Sequence, residues 1–126
     1  MITGVVTANR EATIQLAVRC PAGVEQQIEA VVDTGFDGWL TLPPALIALL
    51  GLPWRRRGRA LLADGGECVF DIYEVTVAWD GGLRRTAVDE ASTAPLVGMA
   101  LLHGYELSVQ VRNGGSVTIK ALPVHP

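Results

Sequence analysis

Turn-forming residues recur along this chain at short, even intervals. Asn9-Arg10-Glu11, Asp33-Thr34-Gly35, Ala63-Asp64-Gly65-Gly66, Asp80-Gly81-Gly82 and Asn113-Gly114-Gly115 each interrupt runs rich in apolar and β-branched residues. Glycine after Asp or Asn supplies the positive φ that a tight hairpin turn needs. Runs this short leave little room for long helices, so the spacing predicts strands joined by hairpins. Ile2–Ala8 and Thr13–Val18 read as a first hairpin, and Gln27–Val32 as a third strand. After Trp39–Leu42, Pro43-Pro44 opens a helix over Pro44–Leu50, which Gly51 closes in the left-handed conformation. Arg57–Leu62 and Glu67–Trp79 form a long hairpin tipped by Ala63–Gly66, and Leu83–Asp89 follows as the next strand. Met99–His103 suits a short helix, Tyr105–Val111 and Ser116–Lys120 a last hairpin, and Ala121–Pro126 a loose tail. The pattern is all-β, a barrel or sandwich with one or two short helices.

At 126 residues, 49% of them hydrophobic, the chain suits one domain over 1–126 whose core needs no covalent staple. A net charge of -3 gives no broad basic surface, so no nucleic-acid partner is expected. The one basic cluster, Arg55, Arg56, Arg57 and Arg59, reads as a solvated loop beside a helix end. Cys20 and Cys68 lie far apart without a CxxC partner, and His103 and His125 add no ligand spacing, so no metal site is expected. Two free thiols in a reducing compartment follow. Met1–Leu16 has no basic segment leading into an apolar one, and the longest apolar stretch, Ala45–Leu50, is too short for a bilayer. The expectation is a cytoplasmic protein with no membrane partner.

The stretch Val31-Val32-Asp33-Thr34-Gly35-Phe36-Asp37-Gly38 ends an apolar strand on a carboxylate and turns it at once. Taken alone, Asp33 fits a turn aspartate that accepts local backbone N–H groups. A phosphatase-like Asp-x-Asp pair does not fit, because Asp37 lies four positions on. An EF-hand starting at Asp33 puts Gly38 correctly at its sixth position but Pro44 at its twelfth, where a bidentate Glu is needed. A Ser or Cys nucleophile lacks a histidine in a recognisable context. The remaining reading is half of an aspartic protease site. Its supporting features follow in order: the glycine-tipped hairpin at Asp64-Gly65-Gly66, then Pro95-Leu96-Val97-Gly98 before a short helix.

With these parts in order the sequence resembles the retropepsin-like aspartic proteases, in particular their small single-domain bacterial members. The resemblance rests on VVDTGFDGWLTLP, ADGG and PLVGMALL and spans about residues 27–103. It implies a closed, barrel-like acid-protease fold of one lobe with a flap hairpin. It implies an aspartic endopeptidase that acts on polypeptides as a homodimer, with no metal or cofactor. Two carboxylates about 3 Å apart cannot both ionise, so they share one proton. This chain has one Asp-Thr-Gly element, so a second copy must supply the other Asp33.

The resemblance also assigns roles. Asp33, Thr34 and Gly35 form the catalytic loop, with Thr34 facing the partner and Gly35 presenting an N–H that a Cβ would obstruct. Val97 and Gly98 pack beneath that loop. Arg57–Tyr73 is the flap, and its tip residues Ala63, Asp64, Gly65 and Gly66 cover an extended substrate together with Phe36. Asp64 reads either as a turn-forming residue or as a preference for basic substrate groups. Trp39, Trp54 and Tyr73 read as core or flap-base residues. Phe36 departs from the family pattern, which has Ser, Thr or Ala there. That substitution removes a hydroxyl from beside the carboxylate and motivates an alternative, a non-catalytic peptide-binding dimer. The Tyr105–Lys120 hairpin and the Met1–Thr7 segment are the two candidates for the dimer interface.

Overall fold

The computed structural model of the chain describes residues Met1–Val124. The expected alternation becomes ten strands and two short helices among them: β1 (Ile2–Val6), β2 (Ala12–Arg19), β3 (Glu25–Val32), β4 (Leu40–Leu42), α1 (Pro44–Leu50), β5 (Trp54–Leu61), β6 (Glu67–Trp79), β7 (Gly82–Glu90), β8 (Leu96–Val97), α2 (Met99–Leu102), β9 (Tyr105–Val109) and β10 (Ser116–Ala121). Gly51 ends α1 at φ 63, ψ 38, as its sequence position implied.

All ten strands join one sheet in the order β5-β6-β7-β4-β8-β3-β2-β1-β10-β9. The free edge of β2 is divided. Ala12–Ile14 pairs with β1, while Val18 and Arg19 pair with Val77 and Thr76 of β6. This second pairing closes the strands β2, β3, β8, β4, β7 and β6 into a hydrogen-bonded ring. The expected barrel is corrected to this ring. Only two residue pairs close it, and β5 on one side and β1, β10 and β9 on the other lie outside it. Side chains of the ring strands, joined by Leu101 of α2 and Ile119 of β10, meet in one core that includes Leu16, Val18, Leu40, Leu42, Val77, Val88 and Val97. Fully burying such side chains contributes about 1.5–3 kcal/mol each.

The pairing that positions the site is the insertion of β8 between β3 and β4. Val31 and Val32 run parallel to Leu96 and Val97, and the same two residues of β8 run antiparallel to Leu40 and Thr41. The chain therefore leaves β3, crosses over β8 through residues 33–39, and returns on its far side as β4.

Several expectations shift. The hairpin arm begins at Trp54 rather than Arg57, so the arginine cluster lies on a strand and not in a loop. Three of its members face cross-strand carboxylates there: Arg55 pairs with Glu74, Arg57 with Asp71 and Arg59 with Glu67. The Arg55 hydrogen bond holds the Glu74 carboxyl below its ordinary value. Strand β9 stops at Val109 because the following turn bonds to itself, Arg112 N–H to Gln110 O and Gly115 N–H to Arg112 O. The tail is shorter than expected, since Ala121 belongs to β10 and Leu122 N–H donates to Gly104 O at 2.9 Å. His125 and Pro126, the end of that tail, lie outside the described residues.

Candidate active site

Asp33 is the first residue after β3. Its N–H donates to Val97 O at 2.9 Å, so the parallel β3–β8 pairing extends to the residue that carries the carboxylate. The chain then turns at once. Gly35 N–H donates to Asp33 Oδ1 at 2.9 Å and Phe36 N–H to Asp33 O at 3.2 Å. This is the local bonding a turn aspartate makes. A Cβ at position 35 would lie 3.3 Å from that same Oδ1, closer than ordinary contact, so glycine is the residue that lets the amide approach. Thr34 is exposed.

The loop is held from below by α2. Gly98 N–H donates to Trp39 O, Met99 N–H to Phe36 O at 2.8 Å, and Ala100 N–H to Gly38 O at 3.0 Å. These bonds satisfy amides that the first turn of a helix leaves without partners, and α2 has no side-chain cap of its own. Gly98 and Gly38 make the close approach possible: a Cβ on Gly98 would overlap the Gly38 carbonyl oxygen.

Phe36 does not crowd the loop. Its ring lies against the two glycines, since a Cβ at 38 or at 98 would fall 2.6 Å from ring carbons. The other side of the ring opens on a cavity of about 510 Å³ between the loop and the β5–β6 hairpin. Arg59, Ala60, Leu61, Cys68 and Phe70 of the hairpin form one wall, and Asp37, Thr41, Asp89, Glu90 and Ala91 form the other.

The structure thus brings Asp33, Thr34, Gly35, Phe36, Val97 and Gly98 into one substructure. It keeps Ala63, Asp64, Gly65 and Gly66 at the exposed hairpin tip, where Asp64 Oδ1 accepts the Gly66 N–H at 2.9 Å in a turn-forming role. The cavity is lined by the hairpin arms, not by these tip residues. Sequence reading missed Phe70 and Asp89. The alternation of β6 offered a signal for Phe70; Asp89 is set beside the cavity by pairing with Thr41 of β4 and Ile72 of β6. Of the aromatic residues read as core or flap base, Tyr73 packs against the core and Trp54 stands at the hairpin base, its Nε1 3.0 Å from Asp71 Oδ1. Trp39 is 42% exposed, because β4 turns into the core only from Leu40 onward.

Burial raises the Asp89 carboxyl above its ordinary value, Arg56 opposes this, and Asp37 adds to it. A carboxyl whose pKa is raised by folding contributes no penalty below its unfolded pKa and destabilises once ionised. Asp89→Asn is therefore expected to raise the thermal midpoint at about pH 7 and to leave it unchanged near pH 3, as read by circular dichroism melts.

Among the described residues no group of three or more His, Cys, Asp or Glu side chains could hold a metal ion, and Cys20 and Cys68 are both free thiols. Among those residues no helix is long and apolar enough to cross a membrane.

Compared by sequence, the chain matches no family model and no curated protein. Compared by structure, it is similar to a retropepsin-like aspartic protease from Rickettsia conorii, with a TM-score of 0.61 over 97% of this chain and 91% of that one at 17% identity. It is also similar to the EIAV protease in complex with an inhibitor, with a TM-score of 0.56 over 75% of this chain and 88% of that one at 18% identity. The chain has the retropepsin fold. Along the chain the strand-to-loop turn at Asp33, the β5–β6 hairpin and α2 follow one another in the order read from the sequence.

Proposed function

We propose that the chain, as one domain, is an aspartic endopeptidase that cleaves polypeptides as a homodimer. The observation that carries this reading is Asp33 itself. Its backbone is fixed by Val97, its Oδ1 accepts the Gly35 N–H, and the loop it opens lines, through Phe36 and Asp37, a cavity under a long hairpin in a retropepsin fold. Asp33 from each copy shares one proton across the two-fold axis. The ionised member takes a proton from a water molecule while the protonated member donates to the scissile carbonyl oxygen. Water attacks directly, so no acyl-enzyme forms and no metal is needed. The arms of the hairpin, with their exposed backbone, suit main-chain pairing to an extended peptide.

Phe36 favours a second reading, a peptide-binding dimer without catalysis. Its ring is committed to Gly38 and Gly98 and brings no hydroxyl to the carboxylate. A diverse peptide library, incubated from about pH 3 to pH 7 and read by mass spectrometry, separates the two. Cuts made by the wild type and absent with Asp33→Asn support the endopeptidase. Peptide binding by both proteins with no cuts by either supports the binding dimer.

A further inference from the structure

The arginine cluster singled out in the sequence has no part in the proposed chemistry, yet the fold gathers Arg55 from it with two arginines distant in the chain. Arg19 of β2 and Arg85 of β7 are cross-strand partners of the same residue, Thr76 of β6, one on each side. Directly paired residues share a face of a sheet. The two arginines and Thr76 therefore rise from one face, with the arginine Cα atoms about 10 Å apart, twice the strand spacing. Arg55 of β5 joins them. The three arginines and Thr76 line one hollow of about 320 Å³, whose apolar wall includes Pro21, Leu52 and Pro53.

The charges in this hollow do not balance. Among the described residues one carboxylate lines it, Glu74, and it serves two arginines. Arg55 donates to it through Nε and Nη2 at 2.9 and 3.2 Å, and Arg85 approaches through Nε at 3.5 Å. Arg19 is held through one amino group at 3.1 Å by Glu25, which does not line the hollow. Three guanidinium groups thus gather around a single carboxylate in a chain whose net charge is -3. The local surplus is positive whether or not Glu25 is counted, and it suits a phosphate group, which carries about -1.5 to -2 near pH 7. The planar guanidinium fork also matches phosphate oxygens in shape. The place matters as well, because Val18–Val77 and Arg19–Thr76 are the two pairs that close the ring. A ligand held by Arg19, Thr76 and Arg85 spans that seam and, at Arg55, reaches the root of the β5–β6 hairpin.

We propose that this hollow is a binding site for a phosphate group, and that an occupied site clamps the ring seam to the hairpin root. It shares no lining residue with the cavity beside Phe36 and does not depend on the endopeptidase reading. Arg19 and Arg85 hold the phosphoryl oxygens from opposite sides, the Thr76 hydroxyl donates between them, and Glu74 competes with the ligand for Arg55 and Arg85. Free phosphate and the phosphoryl group of a small organic molecule offer the same oxygens. Only the organic molecule also covers Pro21, Leu52 and Pro53.

Isothermal titration calorimetry with inorganic phosphate and with phenyl phosphate, in low-salt buffer at about pH 7.5, tests the site. A dissociation constant of about 1 mM or below is expected for at least one of them. That ligand at about 10 mM is expected to raise the thermal midpoint by about 3 °C or more relative to sodium chloride of equal ionic strength. Arg19→Gln and Arg85→Gln, both at exposed positions, are each expected to weaken binding about 10-fold or more while keeping the midpoint of the free protein. Glu74→Gln removes the competing charge and is expected to tighten binding about 3-fold or more, which a merely structural role would not do. Arg112→Gln, in the exposed β9–β10 turn, is expected to change nothing. Tighter binding of phenyl phosphate assigns the site to an organic phosphate, and equal or weaker binding assigns it to the free ion; both support the site. No saturable binding of either ligand up to about 20 mM, or an affinity that Arg19→Gln and Arg85→Gln both leave intact, would overturn it and leave the endopeptidase reading untouched.

Discussion

Asp33→Asn is expected to abolish peptide hydrolysis while the protein stays folded. The amide keeps an oxygen where Oδ1 accepts the Gly35 N–H, and the backbone bond from residue 33 to Val97 O does not involve the side chain. The thermal midpoint is therefore expected to match the wild type. Catalysis is not preserved, because an amide can neither take a proton from water nor hold the shared one. Removing a general acid–base pair typically lowers the rate by about 10²–10⁴-fold, and losing both members of a dyad at once belongs at the upper end. Initial rates on one cleaved peptide, with circular dichroism melts of both proteins, check the two halves of this expectation. A variant that keeps more than about a tenth of the wild-type rate would remove Asp33 from the chemistry.

Gly98→Ala is expected to have the largest effect on stability. The backbone at 98 has φ -99 and ψ 177, which any residue adopts, so the effect comes from packing and not from dihedral strain. The added Cβ would overlap the Gly38 carbonyl oxygen and sit 2.6 Å from Phe36 Cδ2. The carbonyl cannot yield without losing its bond from Ala100 N–H, and α2 cannot withdraw without pulling Leu101 and Leu102 out of the core. Overpacking of this kind typically costs about 1–3 kcal/mol, and a clash against backbone belongs at or beyond the upper end. Urea denaturation would read it as a lower midpoint. Because the Asp33 loop rests on α2, any protein that does fold is expected to lose cleavage as well.

Much of the architecture could be read from the sequence because its turns are chemically explicit. Asp64-Gly65, Asp80-Gly81 and Asn113-Gly114 mark hairpins by local conformation, and Pro44 and Gly51 bracket α1 in the same way. The order of the three motifs was enough to anticipate the fold. What could not be read depends on pairings between distant segments. The insertion of β8 between β3 and β4, and the division of β2 between β1 and β6, arise from long-range pairing that no local pattern encodes. The arginine cluster looked like a solvated loop because its partners, Glu67, Asp71 and Glu74, stand on the opposite arm of the hairpin.

The site shows the same division. Asp33 and its turn were legible from the residues themselves. Phe36 read only as a departure from the family pattern, because its seat is made by Gly38 and by Gly98, which lies far along the chain. The three-dimensional contact turns an anomaly of the motif into a matched set, in which two glycines accommodate one ring. The wall that Asp89 and Glu90 give to the cavity was likewise hidden, since the parallel pairing of β7 with β4, which sets them beside Thr41, joins segments far apart in the chain.

In the proposed enzyme one active site is built from two copies of Asp33. Mixing wild type with Asp33→Asn at constant total protein, after full subunit exchange, measures this directly. If both carboxylates are required, only dimers with two wild-type subunits cleave, and activity falls as the square of the wild-type fraction, to about a quarter at equal mixing. A linear fall, to about half at equal mixing, would mean that each chain carries a complete site and would contradict the shared dyad.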